Sequence, residues 1–484
     1  MLNYGIAEVL LYLEGRNENF MFDFFLRKFP KILFVFCFVA LSVFSAQAQT
    51  TPKKGKNPVI IIPGLTGSEL INSKTQEVVW FKPQRAKDDD LRLPISSLNL
   101  AQNKDSLVPG DVIRQVKFLK FLPDVEIYEK LIDALQSRGG YEEGKWDNPT
   151  MKGYEDTFYV FAYDWRLDTV ENAQLLMKKI ETLKRTLKRP NLKFNVIAHS
   201  MGGLIARYAA MYGSANLPAG KPRPTWAGAK NFSKVFLLGT PNEGSPQSLN
   251  ALINGFSYVG GGLNLPFVQD ISKFDAFTIP SLYQLMPHAG TLQAFDENLK
   301  PMEVDIYNTK TWDEYGWNVI NDDDFNKKFS VKEQKNAKAF FQMILNRAKR
   351  LHEALDANTS AKPSVSTYLI GADCKETLDS IVIYRDAKNN KWKTLFKVDD
   401  FTRANGEKVS SEELKKVLYA MGDGVVAKRS LAAETLTAKN NKTVLPVTSE
   451  IYLCEGHTRL VTSTDVQDKL FALLLGEITV KAQK

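Results

Sequence analysis

Residues 194–203 read FNVIAHSMGG. Phe194–Ala198 is an apolar run of the kind that forms a strand buried on both faces. It leads without a break into His199-Ser200, and Met201–Tyr212 then takes up helical apolar spacing. Small residues flank the serine two positions before (Ala198) and two after (Gly202), a G-x-S-x-G elbow with alanine in the first small position. The requirement is steric. A serine on so sharp a strand-to-helix turn stands clear of the sheet, and bulky neighbours would collide with the adjoining strand and helix. The start of the helix then sets positive potential and free N–H groups beside the hydroxyl.

Outward from the elbow, further short apolar runs end in turn or polar residues. Val59–Ile62 stops at Pro63-Gly64, Phe158–Tyr163 precedes Asp164-Trp165-Arg166, and Val235–Leu238 stops at Gly239-Thr240-Pro241. Thr367–Ile370 and Ile451–Leu453 complete the set. Between them, Val170, Ala173, Leu176, Met177, Ile180, Leu183 and Leu187 form one helical stripe, and Ile127–Leu135 and Thr464–Leu475 read similarly. Repeated strand–helix alternation predicts an α/β protein with a mostly parallel sheet covered by helices on both faces. With the elbow in place, this is the α/β-hydrolase fold, expected over residues 58–480. Two stretches interrupt the alternation, at about 68–125 and about 242–335. The second carries a glycine run at Gly260–Gly262 and many aromatics. Long segments of this kind serve as lids or binding elements, and 242–335 is expected to form a cap. The charged helix Val331–Leu355 reads as scaffold.

A serine hydroxyl needs a base and an orienting acid. The chain has four histidines. His199 adjoins Ser200 and points away from its side chain, into local hydrogen bonding. His352 sits in the charged helix and is expected to face solvent, and His288 reads as structural. His457, in CEGHTRL after the last strand, stands where the order Ser…Asp…His puts the base. For the acid, Asp373, just past Thr367–Ile370, and Asp423, in MGDGVV, are level on sequence order. The turn Pro63-Gly64-Leu65-Thr66-Gly67 and the residue after the serine are where this fold supplies oxyanion N–H groups, here Thr66 and Met201.

Hydrophobic residues make up 44% and charged residues 24%, an ordinary globular balance that excludes general disorder. A net charge of +8 without a basic, aromatic-interleaved tract gives no reading as a nucleic-acid binder. No cysteine or histidine cluster suggests a metal, and no cofactor is implied. Near the N-terminus, Arg27, Lys28 and Lys31 precede the apolar run Ile32–Phe44 and the small-x-small site Ala46-Gln47-Ala48. This is a signal-peptide pattern over residues 1–48, with Met21 as a possible start and an uncleaved anchor as the alternative. A polar linker follows at 49–57. The expected destination is the periplasm or the outside of the cell. Beyond that segment stand Cys374 and Cys454, which fit either one disulfide or two buried thiols.

Several segments, taken in order, resemble the lecithin:cholesterol acyltransferase family, which includes lysosomal phospholipase A2. They are NPVIIIPGLTGSEL (57–70), YDWRL (163–167), AHSMGG (198–203), LLGTPNEGS (237–245), PSLYQLMP (280–287), GDGVV (422–426) and GHTRL (456–460). The resemblance implies Ser200 as nucleophile, His457 as base and Asp423 rather than Asp373 as acid, with Thr66 and Met201 at the oxyanion positions. It also implies that Trp80 lies near a lid and acyl site; an ordinary core tryptophan is the alternative. Leu65 is set beside it as a candidate substrate contact. No cysteine stands near Trp80, where eukaryotic members carry a disulfide-tied lid, so substrate preference does not transfer. The expected activity is that of a serine-dependent lipid acyl hydrolase or O-acyltransferase. It would act on phospholipid or acylglycerol esters, at a membrane or lipid surface, with water or an alcohol as acceptor. An esterase on non-lipid esters, or a non-catalytic binding protein on a hydrolase fold, are the rivals.

Overall fold

Val59–Ile62 and Phe194–His199 are buried at every position and lie side by side in parallel, Val59 opposite Asn195 and Ile62 opposite Ala198. They are the centre of a seven-stranded sheet. In chain order its strands are β1 (Val59–Ile62), β2 (Glu142–Glu143), β3 (Thr157–Val160), β4 (Phe194–His199), β5 (Phe232–Leu238), β6 (Ser366–Gly371) and β7 (Ser449–Tyr452). In space the order is β7-β6-β5-β4-β1-β3-β2, and every neighbouring pair is parallel. The computed structural model describes residues 57–82, 90–116, 125–150, 154–257, 270–358, 363–403, 405–440 and 444–476. The expected signal peptide, all but the last residue of the linker, and Gly260–Gly262 lie outside the described residues.

The runs expected to be strands are strands, with ends shifted by a few residues; β2, with two exposed glutamates, carries no apolar signal. The helices follow the apolar periods: α1 (Glu129–Ser137), α2 (Thr169–Thr186), α3 (Met201–Tyr212), α4 (Val331–Leu355) and α5 (Thr464–Leu475). In α2 the stripe Ala173, Leu176, Met177, Ile180 and Leu183 is buried, each large side chain contributing roughly 1.5–3 kcal/mol. Asp168 caps its N-terminus by accepting from the N–H groups of Val170 and Glu171. The same carboxylate takes two hydrogen bonds from Arg347 of α4 and one from Gln284, which ties PSLYQLMP and the scaffold helix to the start of α2. Helix α3 is buried at all its positions, so the turn that precedes it has a fixed support.

His352 departs from the sequence reading. It is buried, not solvent-facing, because α4 turns one face inward through Phe341, Ile344, Leu345, Ala348, Leu351 and His352. Its ring stacks on His288 at 4.0 Å, with Tyr307 on Nδ1 and the Gln284 carbonyl on Nε2. His288 in turn bonds Asp356 at 2.8 Å.

A second feature is absent from the sequence reading. After β6 the chain makes an excursion. Residues Ser380–Arg385 and Trp392–Leu395 join Gln293–Phe295 and Pro301–Met302 in a four-stranded sheet. The chain returns by pairing Lys375–Leu378 with Tyr419–Gly422. Cys374 and Cys454, at the carboxyl ends of β6 and β7, form a disulfide. It closes 80 residues, and chain entropy assigns such a crosslink about 4.5 kcal/mol. The double variant Cys374→Ala/Cys454→Ala is expected to lose roughly that amount in denaturant titration. A loss below about 1 kcal/mol would mean that other contacts already close the loop in the unfolded ensemble.

Candidate active site

Chain order reverses direction in the sheet between β1 and β4, since β2 and β3 lie on one side of β1 and β4 on the other. Ligands of open parallel sheets bind outside the carboxyl ends of the strands at such a switch point. The turn Gly64–Gly67 leaves β1 there, and Ser200 leaves β4.

Ser200 has φ 53 and ψ −125, outside the regions that side chains favour. Its N–H is held by the Leu238 carbonyl of β5 at 2.8 Å. A Cβ on Gly202 would come within 2.5 Å of the Pro63 carbonyl and 2.6 Å of that of Ile62, so the end of β1 fills the space a side chain would need. The small position of the elbow is thus set by the neighbouring strand. Met201 opens α3, so its N–H has no acceptor four residues back in the helix. Thr66 also has a positive φ, 61, in a turn closed by the Gly67 N–H on the Gly64 carbonyl at 3.1 Å. Its hydroxyl donates to the Leu65 carbonyl at 2.6 Å, and its own carbonyl accepts from Trp80 Nε1 at 2.9 Å. Trp80 is fully buried and packs edge-on against Trp165 at 5.3 Å, so it touches the turn through Thr66. Leu65 is half-buried on the same turn.

His457 Nδ1 lies 2.7 Å from Asp423 Oδ2, and the His457 N–H donates to the Asp423 carbonyl at 2.9 Å. The other carboxylate oxygen accepts from Val425 N–H at 2.9 Å and Val426 N–H at 2.7 Å. Burial alone would raise the Asp423 carboxyl, but the His457 imidazole and these N–H donors outweigh it and hold the group below its ordinary range. Asp373 is exposed and lies 3.7 Å from Lys428 instead. Sequence order could not separate the two acids because of the excursion after β6. The antiparallel return brings Asp423 to a bridge with Lys375, two residues beyond Asp373.

Two residues packed against the site are not assigned to it by the sequence reading. Gly239, at the end of β5 with φ 56, lies where a Cβ would meet Leu460 at 2.8 Å, Asp423 Oδ2 at 2.9 Å and His457 Nδ1 at 3.0 Å. The signal was there, in a glycine directly after a buried strand in LLGTP. Tyr128, at the start of α1, bonds both His199 and the Gly64 N–H; no local pattern marks it.

A seven-stranded parallel sheet with a strained serine at its switch point and an Asp–His pair on the same carboxyl edge defines an α/β-hydrolase. A model of one family, "Lecithin:cholesterol acyltransferase", matches residues 121–461. The chain belongs to the lecithin:cholesterol acyltransferase family. It is 26% identical over 256 residues to lecithin-cholesterol acyltransferase-like 4 of Arabidopsis thaliana, a match covering 48% of this chain and 43% of that protein. It is also 31% identical over 150 residues to an uncharacterized protein of Saccharomyces cerevisiae, covering 31% of this chain and 20% of that one. The chain therefore spans less than half the length of these relatives. Among solved structures, one described as the Tle4–Tli4 complex aligns with a TM-score of 0.51 at 13% identity, over 88% of this chain and 98% of that one.

Proposed function

We propose that the protein is a serine-dependent lipid acyl hydrolase or O-acyltransferase acting through an acyl-enzyme on Ser200. The observation that carries the reading is the Asp423–His457 hydrogen bond at the sheet edge where Ser200 stands. His457 takes the Ser200 proton as the hydroxyl oxygen attacks an ester carbonyl. Asp423 holds the imidazole with its proton on Nδ1 and stabilises the imidazolium. The tetrahedral oxyanion rests on the N–H groups of Thr66 and Met201, and its collapse expels the alcohol, protonated by His457. Water or a second alcohol then attacks the acyl group, so hydrolysis and transfer share the first half of the reaction. The family supports a lipid ester as substrate. Among the described residues no helix is long and apolar enough to cross a membrane. A lipid ester as substrate places the site at a lipid surface.

Export is part of the same reading. The basic–apolar–small pattern ahead of residue 49 and a disulfide that needs an oxidising compartment support it. A mature N-terminus at Gln49 in fractionated cells is the expected result; an intact N-terminal segment in the soluble cytoplasmic fraction would refute it.

The purified protein is to be incubated with phospholipid vesicles containing a long-chain alcohol and the products read by mass spectrometry. Free fatty acid alone means hydrolysis, and a fatty ester of the alcohol means transfer. No product from active, folded protein sinks the phospholipid reading and turns attention to soluble esters.

A further inference from the structure

His199 takes no step in the proposed reaction, yet its buried ring lies between the oxyanion turn and the loop that carries the base. Its hydrogen bonds can be assigned from one end. The His457 backbone carbonyl is 3.1 Å from His199 Nε2 and can only accept, so Nε2 carries a proton. Burial, reinforced by the neighbouring His457, pushes the His199 imidazole down to about 3, so the ring is neutral and that proton is its only one. Nδ1 is then an acceptor. The group opposite it at 2.8 Å is the Tyr128 hydroxyl, which must donate. The same hydroxyl oxygen accepts from the Gly64 N–H, also at 2.8 Å. Tyr128 and His199 are both buried, their rings meet edge-on at 5.9 Å, and the His199 and His457 rings lie 4.8 Å apart.

We propose that Tyr128 and His199 are positioning residues. The one-way chain Gly64 N–H to Tyr128 O–H to His199 Nε2–H to the His457 carbonyl locks the oxyanion turn and the base loop to each other across Ser200. The proposal rests on the reading of Ser200 and His457 as nucleophile and base. Both act through Gly64 and His457. Without the Tyr128 hydroxyl, His199 Nδ1 is left buried without this donor and the Gly64 N–H without this acceptor, so the oxyanion turn is no longer tied through His199 to the base loop, although the Nε2–H bond to the His457 carbonyl remains. Misplacement of this kind acts on the chemical step, since oxyanion donors and base must stand at the reacting carbonyl together.

The test uses the full chain with a soluble p-nitrophenyl ester and four proteins: wild type, Tyr128→Phe, His199→Ala and His199→Gln. Tyr128→Phe is expected to lower kcat by about 10- to 100-fold, with KM changed less than about twofold because the loss falls on the chemical step rather than on ground-state binding. His199→Gln keeps a side-chain N–H that can reach the His457 carbonyl, and is expected to recover most of what His199→Ala loses. Imidazole ¹⁵N NMR is expected to show His199 as the neutral Nε2–H tautomer in the wild type, with the Nδ1 resonance shifted in Tyr128→Phe as its hydrogen bond is lost. A wild-type kcat in Tyr128→Phe, or an Nδ1–H tautomer in the wild type, overturns the proposal. A wild type inactive on every ester overturns the nucleophile reading instead, and the NMR signature still decides whether the chain of hydrogen bonds exists.

Discussion

Ser200→Ala is expected to reduce turnover of a soluble ester by about 10⁶-fold, the scale reached when the nucleophile of a serine triad is removed. The proposed route passes through an ester bond to the Ser200 oxygen, which alanine cannot form. What survives is the oxyanion N–H groups and substrate binding, worth about 10³–10⁴ over the uncatalysed reaction. Stability should change by less than about 0.5 kcal/mol, because alanine keeps the backbone and the N–H bond to Leu238. Removing His457 as well should cost little more, since nucleophile and base act as a unit. Pre-steady-state kinetics on the single and double variants measure this. If Ser200→Ala retained activity within tenfold of wild type, another nucleophile or a bound water would have to carry the reaction.

That Ser200 could be singled out in the sequence has a physical basis. A strand buried on both faces must be apolar throughout, and an elbow pressed against the end of β1 must be small at Gly202. Both constraints are local, so they leave marks within ten residues. The same holds for β1, β5 and the stripe of α2. What the sequence hides is pairing over distance. Asp423 and Asp373 differ in sequence only in where the chain returns after an excursion of some forty residues, and the bridge from Lys375 to Asp423 that marks the return has no local signature. Resemblance to the family, rather than periodicity, favoured Asp423. His352 was misread because a helix with charge on most of its surface conceals a narrow inward face, and a single histidine does not show on which side it lies. The small sheet fails for a related reason. Its strands, Gln293–Phe295 and Ser380–Arg385, are 85 or more residues apart, and the first is too short to show alternation.

Long-range pairing also underlies the second large effect, at Arg166 in YDWRL. Its guanidinium is fully buried, and its N–H groups are all engaged. Nε donates to Asp164 Oδ1 at 3.0 Å and Nη2 to Asp164 Oδ2 at 2.8 Å. Asp105 takes the fork from the other side, at 2.6 Å from Nη1 and 2.9 Å from Nη2, and the Leu91 carbonyl accepts from Nη1 at 3.3 Å. Asp105 and Leu91 belong to the insertion at about 68–125, so one side chain fastens that insertion to the end of β3. Next to it, Trp165 carries Trp80, and Trp80 holds the Thr66 carbonyl. Arg166→Met is expected to destabilise the protein by about 3–5 kcal/mol, because the Asp164 carboxylate is left buried without its counter-charge. The desolvation of the charges, more than the attraction between them, sets that figure. The triple variant Arg166→Met/Asp164→Asn/Asp105→Asn removes all three charges and should therefore recover much of the loss. Denaturant titration of both proteins distinguishes the cases. If the single variant lost less than about 1 kcal/mol, water would have to reach Asp164 readily, and the insertion would be held to the sheet by its apolar contacts instead. If the triple variant were no better than the single one, the fork geometry of arginine, and not the balance of buried charge, would be what fixes the insertion beside the turn Gly64–Gly67.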